Sequence, residues 1–212
     1  FNNCIANKVD LAFNFHGFQI EFVKCKIKEL YFFENNKFNL GINIKNCEIE
    51  LLQIKELIIC NAGILIENTK ITHSFNFYNS QIKSEIKFEN NQEINRIVDF
   101  NGVTARSIIF TNSKITKYIG IISGKIEILK FENSFFNENV FLFSIEITNE
   151  LNVLDTEFRK QLNLVFFDKK NQKLGLLSKF NIKSSRFNEG IWIDGYKNII
   201  EEQNKLKSVF LS

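Results

Sequence analysis

Carboxylates perform acid–base chemistry in pairs, one protonated and one ionised, held at a fixed separation. The five aspartates, Asp10, Asp99, Asp155, Asp168 and Asp194, are scattered along the 212 residues. Asp155 falls at a repeated turn position, Asp168 in an insertion, and Asp99 beside an apolar strand. Asp194 follows Trp192, an aromatic of the kind that stacks on a sugar ring, and this is the strongest local sign of carbohydrate contact. Glu67, Glu89 and Glu132 share one outward column, with Thr111 between the last two, and solvated strand charge accounts for them.

Thiols and imidazoles give no sharper chemistry. Cys4, Cys25 and Cys47 occupy one turn position on successive repeats. Their α-carbons are expected near the roughly 4.4 to 6.8 Å that a disulfide spans. Parallel, in-register side chains point alike, however, and Ser and Thr fill the same position elsewhere. The expectation is therefore small buried thiols, with Cys60 also unpaired, which leans toward a reducing, cytoplasmic compartment. Zinc would need paired ligand spacing that is absent, and His16 and His73 stand in different columns. Neither a Gly-rich phosphate loop nor an activated Ser or Cys constellation is present. No catalytic residue, metal ligand or cofactor is expected.

Charge and hydropathy narrow the partners. The net charge of +3 comes from 27 basic and 24 acidic residues, interspersed throughout, which leaves no electrostatic footprint for nucleic acid. No apolar run is long enough for a membrane span, and no signal peptide opens the chain. The first residue, Phe1, already lies inside a sequence motif, so a longer polypeptide is expected.

The elements that must position these residues are set by a repeat. Small residues Cys4, Cys25, Cys47, Thr69, Asn91, Ser113, Ser134, Thr156 and Ser185 are separated by 21, 22, 22, 22, 22, 21, 22 and 29 residues. Asn or another short polar residue usually precedes them: Asn3, Lys24, Asn46, Asn68, Asn90, Asn112, Asn133, Asp155 and Ser184. Apolar columns lie three residues before (Phe1, Phe22, Ile44, Ile66, Phe88, Phe110, Phe131, Val153, Ile182) and five before. A third lies two after: Ala6, Ile27, Ile49, Ile71, Glu93, Ile115, Phe136, Phe158 and Phe187. Apolar residues therefore alternate with period two, the mark of strands with one buried face, not helices.

The reading is an all-β, single-domain parallel β-helix, or solenoid, of about nine coils, each stacked on the last at roughly 4.8 Å. Parallel crossovers make it right-handed. The Asn-small pair turns the corner, since Asn tolerates the left-handed region and stacked Asn side chains bond one another along the axis. A second turn follows about eleven residues later, at Asn35-Asn36, Asn79-Ser80 and Asn101-Gly102. The chain has no proline, where average usage of about 5% would give roughly ten. Proline donates no ladder hydrogen bond, and a stack of strands leaves it few places.

The segment Phe131-Glu132-Asn133-Ser134-Phe135-Phe136 carries a likeness to known proteins. The chain resembles the right-handed parallel β-helix group, and in particular pentapeptide-like repeats built on Phe-x-Asn-Ser-x-Phe. Its period is nearer 22 than 20, and the five-residue step is not sustained. The resemblance implies the fold and no particular activity. Because many parallel β-helix proteins cleave polysaccharides, it also makes a carbohydrate-binding or polysaccharide-cleaving protein the alternative function. That chemistry needs clustered carboxylates, or acidic calcium ligands with a basic residue, which the scattered aspartates do not supply.

Irregularities in the repeat mark the candidate contacts. The 29-residue interval holds an insertion near 166–179, expected as a projecting hairpin, with Lys169, Lys170 and Lys173 as possible loop contacts. In the C-terminal half, Ile119, Ile121, Val140, Leu142, Leu162, Leu164, Ile191 and Ile193 are expected inward. Ile122, Phe143 and Val165 then form an outward apolar ladder, with Phe141 and Trp192 beside it; contiguous exposed apolar area marks an interface or a covered face. A short helix over Ile199 to Phe210, with Glu201 and Lys205 at four-residue spacing, would provide such cover. Lys117, Glu138, Lys160 and Glu189 alternate in sign, which favours in-register stacking. The division read is a solenoid over 1–196 and a capping or linking segment over 197–212. The functional reading is a non-catalytic scaffold or protein-binding module within a larger polypeptide or assembly, its partner a protein or an adjoining domain.

Overall fold

Alternating apolar residues build strands with one buried face, and these strands stack in parallel, coil upon coil. The computed structural model describes residues 1–11, 19–33, 37–38, 40–59, 62–91, 93–94, 97–165, 167–168, 173–174, 176–194 and 208–211. The chain is a parallel β-solenoid with a spacing of about 22 residues and no helix among the described residues. The first sheet stacks nine strands: Ile5–Leu11, Lys26–Phe32, Glu48–Lys55, Lys70–Tyr78, Ile97–Asn101, Ile119–Ile122, Val140–Phe143, Leu162–Val165 and Ile191–Asp194. The second runs from Ile20–Val23 to Ser208–Leu211, and a third, of four two-residue strands, runs from Lys114–Ile115 to Arg186–Phe187.

About six turns are regular, fewer than the nine motif copies. Irregularities occur inside the stack, where the register shifts at Ile49/Leu51, Ile82/Glu85 and Ile126/Ile128, and at its ends. Asn2 meets Val23 through an isolated bridge, and the last copy follows the long interval. Within that interval Phe167–Asp168 pairs antiparallel with Lys173–Leu174.

The corners explain why Asn and small residues recur. All nine residues of the Asn column, from Asn3 to Ser184, have φ between 45° and 55°. L-residues avoid this left-handed region, and Asn is among the few that visit it routinely. The Asn side chains also bond along the axis: Asn68 Nδ2 donates to Asn46 Oδ1 at 2.6 Å, and Asn133 Nδ2 to Asn112 Oδ1 at 2.7 Å. From Cys47 to Ser185 the small residue after the corner accepts a backbone N–H from the preceding coil. Cys47 N–H donates to Thr69 Oγ1, Thr69 N–H to Asn91 Oδ1, Asn91 N–H to Ser113 Oγ, and Thr156 N–H to Ser185 Oγ. Thr69, Ser113, Ser134 and Thr156 then donate their own hydroxyls to the carbonyl two residues earlier. Such buried amides are costly when unpaired, so this column needs a short side chain with an acceptor.

A second left-handed corner recurs at Glu56, Asn79, Gly102, Ser123 and Ser144. Asn79 and Gly102 fall where the sequence places a second turn, and Asn35-Asn36 lies outside the described residues. Glu56, Ser123 and Ser144 carry no turn signature of their own; the stacked coils impose the conformation. A Cβ on Gly102 would run into the Asn79 side chain, so this corner holds glycine for space as well as for φ.

The core is a continuous stack of Ile, Leu, Val and Phe, with rings in register: Phe88 on Phe110 at 4.7 Å and Phe136 on Phe158 at 4.8 Å between centroids. Each fully buried ring contributes roughly 1.5–3 kcal/mol. One column needs correction. Glu93 does not follow Ile71 inward; Ile94 takes that place, bridging Ile71 and Ile115, while Glu93 pairs with Lys70 at 3.2 Å. A single extra residue after Asn91 turns the carboxylate out and the isoleucine in.

The C-terminal expectation also changes. Ser208–Leu211 is a strand, not the end of a helix, and pairs in parallel with Lys179–Lys183. An open strand edge offers the backbone a full set of partners, and Val209-Phe210-Leu211 has strand-forming composition. Residues 199–207 lie outside the described residues.

Candidate functional site

The nine-stranded sheet has the same interior throughout and a changing exterior. One outward column reads Asp10, Tyr31, Gln53, Asn76, Asp99, Gly120, Phe141, Asn163 and Trp192. The next reads Lys55, Tyr78, Asn101, Ile122, Phe143, Val165 and Asp194. Both are polar or aromatic-polar early; from Ile122 onward they are apolar except for the buried Asn163 and the terminal Asp194. Ile122, Phe143 and Val165 are half-buried neighbours on consecutive coils, whereas Phe141 is 38% and Trp192 54% exposed. Ile193 belongs to the inward column with Leu164 yet is 40% exposed, and Ile191 is only partly buried. Their strand is the last of its sheet, so the expected full burial is not reached there.

Asp99 forms a second centre that sequence reasoning passed over. Among the described residues its Oδ1 is buried without a hydrogen-bond partner, and its Oδ2 receives only a long bond from the Tyr78 hydroxyl, 3.5 Å. Burial pushes the Asp99 carboxyl above the usual carboxylate range, against the lowering effect of Tyr78. Burial, with the neighbouring carboxylate, likewise raises the Tyr78 phenol. Gly120 follows Asp99 in the column. Asp99 Oδ1 and Tyr118 Cε2 border the place its Cβ would occupy, at 3.6 and 3.7 Å, and Ile122 closes the side at 3.8 Å. Tyr118 in turn meets Phe141 edge-on, with ring centroids 6.2 Å apart. The legible signal was the 21-residue step from Asp99 to Gly120 to Phe141; the approach of Tyr78 and Tyr118 required the register itself.

Other candidates are satisfied within the chain. Glu67 lies 3.9 Å from Lys45, Glu89 2.8 Å from Lys87, and Glu132 2.8 Å from Lys130. Near the start of the chain a groove of about 360 Å³ is lined by Lys26, Lys28, Glu48, Glu50, Lys70 and Thr72. Two of its three lysines are paired, Lys26 with Glu48 at 3.1 Å and Lys70 with Glu93 at 3.2 Å. Of the alternating charges, Lys160 and Glu189 pair at 2.8 Å. Cys4, Cys25 and Cys47 are free thiols, Cys25 and Cys47 buried and Cys4 only partly so; burial pushes the Cys47 thiol up. They belong to the corner ladder, where Cys25 N–H donates to Cys47 Sγ. His73 is exposed beside Thr72 and Glu50. Cys60, His16, Lys169 and Lys170 lie outside the described residues, and Lys173 is placed only as a strand residue opposite Asp168.

No cluster of three or more His, Cys, Asp or Glu able to hold a metal occurs among the described residues. No helix among them is long and apolar enough to cross a membrane. No family model, curated protein or solved structure matches the chain, so its functional reading rests on its own residues.

Proposed function

We propose that the chain is a non-catalytic solenoid scaffold that binds a protein partner or adjoining domain through the outward face of its nine-stranded sheet. The observation that carries this reading is the change of the two outward columns from Gln53, Asn76 and Asn101 to Ile122, Phe141, Phe143, Val165 and Trp192. Contiguous apolar area on a rigid surface is what a binding face requires. Residues 1–196 form the scaffold in this reading. The insertion near 166–179 is a further contact loop through Lys169, Lys170 and Lys173, and 197–212 caps or links the rod. Affinity capture with the native chain and with a Phe141→Ser, Trp192→Ser double variant tests it. Proteins retained by the first and lost from the second support the reading; identical retention by a folded variant overturns it.

A carbohydrate contact has one observation in its favour. Trp192 and Asp194 are both exposed and sit two residues apart on the outward side of one strand. Polysaccharide binding and cleavage assays on native and Asp194→Asn chains address it; sugar binding that needs Trp192 would move the function to that class.

A further inference from the structure

We propose that Asp99, with Tyr78 and Tyr118 above the bare backbone of Gly120, receives a basic side chain of the protein partner, whose neighbouring apolar residues lie on Ile122, Phe141 and Phe143. The inference rests on the protein-binding reading of this face and specifies the chemistry of the partner.

Elsewhere the solenoid pairs such acids with a lysine two residues earlier on the same strand. Asp10 stands in the same column as Asp99 and is paired with Lys8, two residues earlier on its own strand, at 3.0 Å. Lys87–Glu89 and Lys130–Glu132 repeat that arrangement on the second sheet, each at 2.8 Å. The residue equivalent to Lys8 in the Asp99 coil is Ile97, reached through Glu29, Leu51 and Ser74 in the register. Ile97 is apolar and 37% exposed. Among the described residues Asp99 therefore lacks the cation that its counterparts have, and an exposed apolar residue stands in its place.

A buried carboxylate oxygen without a donor is unfavourable, and a cation from outside removes that cost. The surroundings suit one. Tyr118 Cε2 and Asp99 Oδ1 flank the same point above Gly120, so an ammonium or guanidinium that reaches it gains a charge-assisted hydrogen bond beside an aromatic ring. Gly120 places no side chain between Asp99 and Phe141 in this column. The Tyr118 ring, 39% exposed, is the closing wall, and exposed side chains change rotamer within picoseconds to nanoseconds.

The test is an amide NMR titration of the full chain with three blocked tripeptides, Leu-Lys-Leu, Leu-Gln-Leu and Leu-Glu-Leu. The lysine peptide is expected to shift Asp99, Tyr118 and Gly120 saturably and to bind about tenfold tighter than the glutamine peptide, with the glutamate peptide weakest. Asp99→Asn should bring the lysine peptide to the glutamine level. Gly120→Ala, whose new methyl meets neighbours only at ordinary contact distances of 3.6 to 3.8 Å, should reduce the same preference while the fold persists. Equal binding of lysine and glutamine peptides to the native chain overturns the cation site. If that equal binding is abolished by a Phe141→Ser, Phe143→Ser variant, the sheet face remains a binding surface. If no peptide shifts any outward residue from Asp99 to Trp192, both readings fall.

Discussion

The two halves of the nine-stranded sheet share one interior and differ in exterior. Phe100 and Leu142 occupy the same inward column, two coils apart, and both are buried. In the neighbouring outward column Asn76 and Phe141, also on that sheet, are polar and apolar. Stacking thus demands the same inward pattern from every coil and leaves the outer face to be set by something else. That difference is why the binding face is proposed on the half whose outer columns carry Ile122, Phe141 and Phe143.

The largest expected effects fall on the shared interior. Phe100→Ala should lose about 3–5 kcal/mol and Leu142→Ala about 2–5 kcal/mol in urea unfolding. A loss confined to one half would break the equivalence of their cores. Next come the corner hydroxyls, where Thr69→Val and Thr156→Val keep the shape and remove the acceptor for Cys47 N–H and Ser134 N–H. Each should cost about 1–3 kcal/mol, with faster hydrogen exchange at the orphaned amide as the diagnostic. On the exterior, Phe141→Ser and Asn76→Ser should each change stability by no more than about 0.5 kcal/mol. Only Phe141→Ser should abolish partner retention; loss from both would mean that the whole face, not its apolar half, is the surface.

The subtlest effect belongs to Asp99. Its carboxyl is raised in the folded chain, so the folded state holds the proton more tightly than the unfolded one. The associated stability is complete below the ordinary carboxylate range and declines as pH rises through the folded value. Asp99→Asn should flatten that decline in denaturant melts across acidic pH and leave the chain more stable than native at neutrality. A variant curve that parallels the native one would show that Asp99 is not the group responsible.

Much of this was open to sequence reasoning because the governing signal is local and repeated. Alternation at Ile64, Ile66, Ile86 and Phe88 names the buried face without further knowledge, and the Asn column names every first corner. Failures occurred where the stack overrode the local signal. Glu93 sat in an apolar column until one extra residue moved Ile94 into it. Glu56, Ser123 and Ser144 adopt a left-handed corner that only their neighbours dictate. The Asp99 centre joins residues on three coils, and its essential fact, a missing donor, is not a property of any residue type. The strand at Ser208–Leu211 was similarly obscured, because a helix pairing at Glu201 and Lys205 is a local pattern and a free strand edge is not.

The corner ladder has a consequence for the order in which the molecule is made. In each rung the amide lies on the earlier coil and its acceptor on the later one, as with Thr69 N–H and Asn91 Oδ1, 22 residues downstream. During synthesis at about 5–20 residues per second, every newly formed corner therefore waits roughly 1–4 s for the atom that completes it. The growing end is always one coil short of satisfaction, while everything behind it is closed. On the ribosome, each corner amide thus gains its acceptor only when the coil after it has been made.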